Sequence, residues 1–182
     1  MAEYSDNELL EQFQNSATRN YAFNLIVRKY QQKLYYHIRK IVIDHDDAHD
    51  VSQNTFIKAW KGLDNFREDS QLYTWLYRIA TNESLTFLKQ KKTKFLVPLG
   101  DVEHELSNNL SSDPNFNGDK IQMKLQKAIL RLPEKQRIVF NMKYFDNIKY
   151  EDMSEVLGTS VGALKASYHH AVKKIEKYIT GD

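Results

Sequence analysis

Apolar residues return every three or four positions along almost the whole of this chain, and once, from Gln90 to Asp119, they stop. That interruption constrains the fold more than any other feature. It holds Pro98, Gly100, Pro114 and Gly118 and the polar run Ser107-Asn108-Asn109-Leu110-Ser111-Ser112-Asp113. A structureless loop of this length is unusual inside one compact domain. The pattern therefore reads as two small helical domains, residues 1–92 and 120–182, joined by a flexible linker over 93–119. The 182 residues suffice for two such units. No alternating strand pattern is present, so the expected fold class is all-α.

Local signals divide each half into helices. Ser5-Asp6-Asn7-Glu8 has the spacing of a capping box ahead of Leu9, Leu10 and Phe13. Ala22, Leu25, Ile26, Lys29, Tyr30, Lys33, Leu34 and Ile38 keep a helical period from about Asn20 to Ile43. Asp44 or Asp46 can cap a third helix, which Gly62 is placed to stop. A fourth runs from Asp69 or Ser70 to about Lys89 on the stripe Leu72, Trp75, Leu76 and Ile79. In the second half, one helix carries Ile121, Leu125, Ala128, Ile129 and Leu132. Pro133 suits the first turn of the next, which Asp146-Asn147 breaks. A short helix, Tyr150 to Leu157, and a long one, Val161 to about Ile179, flank Gly158-Thr159-Ser160, with Ser160 as N-cap. The linker pattern is compatible both with docked domains and with domains that move independently.

Charge is distributed unevenly. Residues 1–92 carry 13 Lys/Arg and 12 Asp/Glu, residues 93–119 carry 1 and 5, and residues 120–182 carry 12 and 7. The basic C-terminal segment suits an anionic partner such as nucleic acid, and the acidic middle does not. With no cysteine, a disulfide framework, a Cys-ligated zinc site and a thiol nucleophile are excluded. Nothing resembles a Gly-rich phosphate loop or a serine nucleophile elbow, and no cofactor is expected; spacing does not decide Ser/His/Asp triads. The apolar runs fall far short of the ~20 residues a membrane helix needs. No secretory leader is visible at Met1–Asp6, and a cytoplasmic location is expected.

Three segments carry chemistry. The short helix, three-residue turn and basic helix at the C-terminus have the helix-turn-helix pattern. Gly158 supplies the left-handed turn, and Val156, Leu157, Val161 and Leu164 can lock the helix pair. Lys165, Ala166, His169 and His170 then face a major groove, with Lys173, Lys174 and Lys177 in reach of phosphates. An ordinary helical hairpin with a solvated basic face is the plain alternative. Second, Phe66 to Lys92 interleaves aromatics and cations. Tyr73 and Tyr77 lie four apart and off the apolar stripe, as bases stacking on a single strand would require. The plain alternative, that these aromatics complete the core, carries more weight on pattern alone. Third, His45-Asp46-Asp47-Ala48-His49-Asp50 puts two histidines at i, i+4, the spacing of a metal hydrolase, but no supporting ligand cluster accompanies it. An Asp-rich helix N-terminus is also what the helix dipole favours, so no metal is expected.

The block Asp47 to Trp60 closely resembles the core-binding helix of bacterial sigma factors. Phe66 to Asn82 resembles the segment that follows it in the extracytoplasmic-function (ECF) group. Leu132 to Phe140 and Val161 to Lys165 resemble that group's C-terminal domain. The resemblance implies a region 2 domain, a region 4 domain and a transcription initiation factor that is not an enzyme. Its partners would be the β′ clamp and β flap of core RNA polymerase, promoter DNA and an anti-sigma factor. Asp47, Asp50, Gln53, Thr55 and Phe56 match the clamp-docking motif. Phe66, Ser70 and Asn82 match the pocket that takes a flipped −10 base. Tyr73, Trp75 and Tyr77 stand beside it, and Arg78 and Lys89 are placed for strand phosphates. Lys165, Ala166, His169, His170 and Lys173 match positions that contact the −35 duplex. The acidic linker residues Asp101, Glu103, Glu105, Asp113 and Asp119 match a family segment that threads the polymerase's basic channels. His49 and Asn54 stand where Glu is usual, and Ala166-Ser167 replaces a common Ser-Arg pair. That replacement removes a bidentate guanine reader worth ~1–3 kcal/mol of discrimination. A helix-turn-helix regulator that acts without polymerase is the alternative reading, and it leaves Asp47–Phe56 without a role.

Overall fold

The computed structural model describes residues 4–66, 70–95 and 120–181. Among them the secondary structure is helical: α1 (Asp6–Gln14), α2 (Arg19–Val42), α3 (His45–Gly62), α4 (Leu72–Phe95), α5 (Lys120–Leu130), α6 (Glu134–Tyr144), α7 (Tyr150–Leu157) and α8 (Val161–Thr180), with a 3-10 turn at Leu63–Asn65.

The capping signals act as their chemistry dictates. Ser5 and Glu8 form both arms of the capping box, Ser5 N donating to Glu8 Oε2 at 2.7 Å and Glu8 N to Ser5 Oγ at 3.3 Å. The Ser5 backbone N–H holds the Glu8 carboxyl below the usual carboxylate range. Asp44, not Asp46, caps α3, its carboxylate accepting from the backbone N–H of Asp46 and Asp47 at 2.9 and 3.0 Å. The residue before it, Ile43, sits at φ 70°, an uncommon geometry for a β-branched side chain, and is held there by burial. Gly62 does not stop α3 through a left-handed turn, since its φ is −93°. It is small because Trp75 lies against it, and a Cβ there would stand 3.1 Å from the indole ring. Helix α4 continues past Lys89 to Phe95 because Gln90–Phe95 holds no helix breaker before Pro98. The acidic linker residues, from Asp101 to Asp119, lie outside the described residues, as do Arg67, Glu68 and Asp69.

In the N-terminal half, α1–α4 pack around Leu9, Phe13, Ile26, Leu34, Ile38, Val51, Leu72 and Leu76, all at most 2% exposed. Each such side chain contributes about 1.5–3 kcal/mol relative to exposure. Trp60 closes one end edge-on to Phe13 and Phe23, at 5.4 and 5.0 Å. In the C-terminal half, Ala128, Ile129, Leu132, Phe140, Ala171 and Ile175 form a second cluster, where Phe140 stacks on Tyr168 at 5.7 Å. Gly158 ends α7 at φ 61°, Ser160 accepts from Ala163 N, and Val156 and Leu164 are buried between α7 and α8. This is the expected helix-turn-helix. Lys149 starts α7 with no side-chain cap bond, which α7 offsets with Glu151 and Asp152 in its first turn.

The two halves pack on each other. The larger buried cluster runs without a break from Leu72, Leu76, Tyr77 and Ala80 of the N-terminal half to Ile138, Met142, Ile148, Met153 and Val156 of the C-terminal half. Helix α7 lies on α4 and α6 touches α2.

Candidate functional site

Three surfaces gather the residues singled out above. On the first, α3 presents Asp50, Gln53 and Asn54 to solvent, with Ile57 52% exposed. Together with Gln31, Tyr35 and Tyr36 of α2, His49, Gln53, Phe56 and Ile57 line a groove of about 760 Å³. Phe56 is half-buried and seats the groove floor on the core. Asp47 sits at the end of this face in an ion pair with Lys91 at 2.7 Å. Thr55 requires a correction. Its side chain is fully buried and its hydroxyl donates to the Val51 carbonyl at 2.8 Å, so it positions the helix and cannot touch a partner. The histidines of this segment, His45 and His49, meet edge-to-face at 4.6 Å, and the Tyr35 hydroxyl meets His45 Nδ1 at 2.6 Å. Among the described residues no three His, Cys, Asp or Glu side chains come together as metal ligands.

The second surface follows the 3-10 turn and α4. Phe66 and Ser70 line a hollow of about 570 Å³, and Phe66 packs on Trp75 with ring centroids 5.1 Å apart. Asn82 and Lys89 are exposed further along. Arg78 is half-buried, and its Nε is sealed from solvent without a hydrogen-bond partner. The two tyrosines follow the core-completing alternative and offer no free stacking faces. Tyr77 is 6% exposed and packs on His37 at 4.7 Å. Tyr73 is half-buried and donates its hydroxyl to Asp152 of α7. Burial, followed by that carboxylate, pushes the Tyr73 phenol up to about 12, so it remains a donor at neutral pH. Tyr77 thus faces α2, and Tyr73 lies under α7.

The third surface is the outer face of α8. Leu164, Ala171 and Ile175 turn into the core, which leaves Lys165, Ala166, His169, His170 and Lys173 exposed together. Lys165, His169 and Lys173 are spaced i, i+4, i+8, one row along the helix. Lys165 Nζ lies 5.8 Å from the centre of the Tyr150 ring. Lys174 is turned aside, donating to Gln136 at 3.0 Å.

Four residues that carry the contact between halves escaped the motif reading: His37, Lys40, Asp146 and Asp152. His37 is 1% exposed, with Nδ1 3.1 Å from Asp146 Oδ2 and Nε2 2.8 Å from Thr81 Oγ1. Lys40 pairs with the other oxygen of Asp146. Burial raises the Asp146 carboxyl, but the His37 hydrogen bond and the His37 and Lys40 charges more than offset it, so it lies below the ordinary carboxylate range. His37 and Lys40 lie more than a hundred positions from Asp146, and Tyr73 lies 79 from Asp152, so no spacing rule links them.

Two family descriptions match this chain: sigma-70 region 2 over residues 26–94 and sigma-70 region 4 over residues 122–175. The RNA polymerase sigma-H factor of Pseudomonas aeruginosa is 34% identical, over 97% of this chain and 95% of its own length. The ECF RNA polymerase sigma-E factor of Escherichia coli K12 is 30% identical, over 96% of this chain and 94% of its own. Among solved structures, CnrH in complex with the cytosolic domain of CnrY is similar at a TM-score of 0.69 and 22% identity, over 97% of this chain and 99% of CnrH. The sigma factor RpoE of Bartonella quintana, in complex with the anti-sigma factor NepR, also reaches 0.69, at 21% identity, over 88% and 98%. Among the described residues no helix is long and apolar enough to cross a membrane.

Proposed function

This chain belongs to the extracytoplasmic-function group of the sigma-70 family, and from that premise we propose how its surfaces divide the work of initiation. The α3 face, with Asp50, Gln53 and the Phe56 groove, docks on the β′ clamp of core RNA polymerase, and Asp47 flanks it. The C-terminal domain engages the β flap. Lys165, His169, His170 and Lys173 approach the −35 duplex, where Ala166 lets the backbone come close and offers apolar contact to a thymine methyl. The Phe66–Ser70 hollow and Asn82 take a base flipped from the −10 strand, with Arg78 and Lys89 toward its phosphates.

The physics of melting fits these roles. Unstacking a base costs a few kcal/mol. Stacking on an aromatic side chain returns ~1–3 kcal/mol per base. Edge hydrogen bonds in a snug hollow add to that, so single-strand capture can drive opening without a nucleotide triphosphate. The acidic linker does not compete for promoter DNA and suits a basic channel of the polymerase. Work with polymerase places the chain in the cytoplasm, and an anti-sigma factor, as in the RpoE–NepR complex, is the inhibitor we expect.

The observation that supports this division is the exposure of the α3 face and the α8 row on opposite faces of their helices from the core. The test is core-dependent transcription in vitro from genomic fragments of the source cell. Discrete start sites that appear only when both core and this chain are present support the reading. Duplex binding with no effect on core-directed initiation would favour the polymerase-independent regulator.

A further inference from the structure

A cleft of about 700 Å³ opens along the seam between the halves, distinct from the groove on α3 and from the hollow at Phe66 and Ser70. That volume lies within the range of small-molecule sites, which favour the junction of two domains. Three lysines line it, Lys33 and Lys40 of α2 and Lys149 ahead of α7, together with two carboxylates, Asp146 and Asp152. Both carboxylates are engaged. Asp146 holds His37 and Lys40 with its two oxygens, and Asp152 accepts the Tyr73 hydroxyl. Lys33 and Lys149 are exposed, and neither has a carboxylate partner among the described residues. Two rings at the cleft are left uncovered by the core: Tyr36 is 53% exposed and Phe145 39%. Lys40 Nζ lies 5.2 Å from the Phe145 ring centre and steadies that ring. Gln71 and Asn147 bring two exposed carboxamides to the same space.

We propose that this cleft binds a free nucleotide, with its phosphates on Lys33 and Lys149, its base on the exposed rings of Tyr36 and Phe145, and its base edge on Gln71 and Asn147. The available groups select that class of ligand. Ammonium groups form charge-assisted hydrogen bonds to phosphate oxygens. Aromatic faces take a planar base. Carboxamides both donate and accept, as base edges do. A small dicarboxylate would leave the rings unused, and an apolar ligand would desolvate two ammonium groups without giving them a partner. The walls come from both halves: Lys33 and Tyr36 from α2, Gln71 from just ahead of α4, and Phe145, Asn147 and Lys149 from between α6 and α7. A ligand held by both walls stabilises the docked chain by mass action, so nucleotide level becomes an input to the chain. The site stands independently of the promoter-reading assignments, because neither the α3 face nor the α8 row contributes to it.

The test is equilibrium dialysis of the full chain against radiolabelled ATP and, separately, GTP, at low ionic strength and without magnesium. Saturable one-to-one binding of at least one of them is expected. The matching nucleoside and inorganic triphosphate, each keeping only part of the contacts, should compete about tenfold or more weakly than the parent nucleotide. Lys33→Ala with Lys149→Ala changes two exposed positions, so circular dichroism should show an intact fold while nucleotide affinity falls about tenfold or more. Lys61→Ala with Lys135→Ala makes the same change of charge at exposed positions away from the cleft and should leave affinity within about twofold. No saturation with either nucleotide up to about 1 mM would overturn the site. Equal competition by inorganic triphosphate would reduce it to a basic patch, and equal loss in the two lysine pairs would do the same. Displacement of the label by a single strand of about 12 nucleotides at tenfold lower concentration than unlabelled nucleotide would make the cleft part of a DNA path and overturn the free-nucleotide assignment.

Discussion

Two neighbours on α3 should separate docking from folding. Gln53 is exposed at the groove mouth, and Thr55, two positions on, is completely buried. Thr55→Ala removes one buried methyl, about 0.8 kcal/mol. It also removes the hydroxyl bond to the Val51 carbonyl, about 0.5–1.5 kcal/mol. The expected loss is about 1–2 kcal/mol of stability, roughly 3–6 °C in Tm for a chain of this size. Core affinity should not change, because no atom of Thr55 reaches the surface. Gln53→Ala is the mirror image. An exposed helical position away from special contacts alters stability by within about 0.5 kcal/mol. A polar anchor near the centre of an interface is worth about 1–2 kcal/mol, so its loss should weaken core binding roughly tenfold. Thermal unfolding by circular dichroism and fluorescence competition for purified core measure the two quantities independently. A tenfold affinity loss for Thr55→Ala at unchanged Tm, or unchanged affinity for Gln53→Ala, would refute the face assigned to α3.

Three further outcomes are expected. Asn82→Ala should reduce promoter opening, read by permanganate reactivity of unpaired thymines, at least tenfold more than it reduces closed-complex formation. Unstacking of a few kcal/mol would then go uncompensated, and equal loss of both steps would contradict the flipped-base role. Lys165→Ala should weaken −35 duplex binding and lower the slope of log affinity against log salt by about 1; an unchanged slope would place Lys165 off the phosphates. Asp146, held below its ordinary pKa of 3.8 when the seam is closed, contributes stability that is complete above that value and disappears as pH falls through the lower closed-state value. The stability gap between wild type and Asp146→Asn in denaturant titrations should therefore narrow as pH falls below about 4. A gap that already narrows between pH 7 and pH 5 would mean that another group governs the contact.

Most helix boundaries were legible because local chemistry sets them. Ser5 with Glu8, Asp44, Gly158 and Ser160 act within four residues of themselves, and each does what its spacing suggests. Gly62 shows where that logic stops: it occupies a helix end, yet its reason is the Trp75 ring, brought in by α4. Thr55 lies within the docking motif, but helical geometry turns it inward between Val51 and Ala59, both buried. Tyr73 and Tyr77 were legible as lying off the α4 stripe. That α7 would cover Tyr73 was not, because the linker leaves docking open and nothing local encodes a partner surface. The decisive contacts join His37 to Asp146 and Tyr73 to Asp152. Periodicity sees each helix's apolar side, but pairing across a linker depends on tertiary packing.

A chain that works as a subunit of RNA polymerase must bind the core enzyme, and gel filtration with purified bacterial core reads that binding. A stoichiometric complex is expected that co-elutes with core, survives the Thr55→Ala change and is lost with Gln53→Ala together with Asp50→Ala. Failure of the wild-type chain to co-elute with a core preparation that accepts another sigma factor, with no inhibitor present, would contradict it.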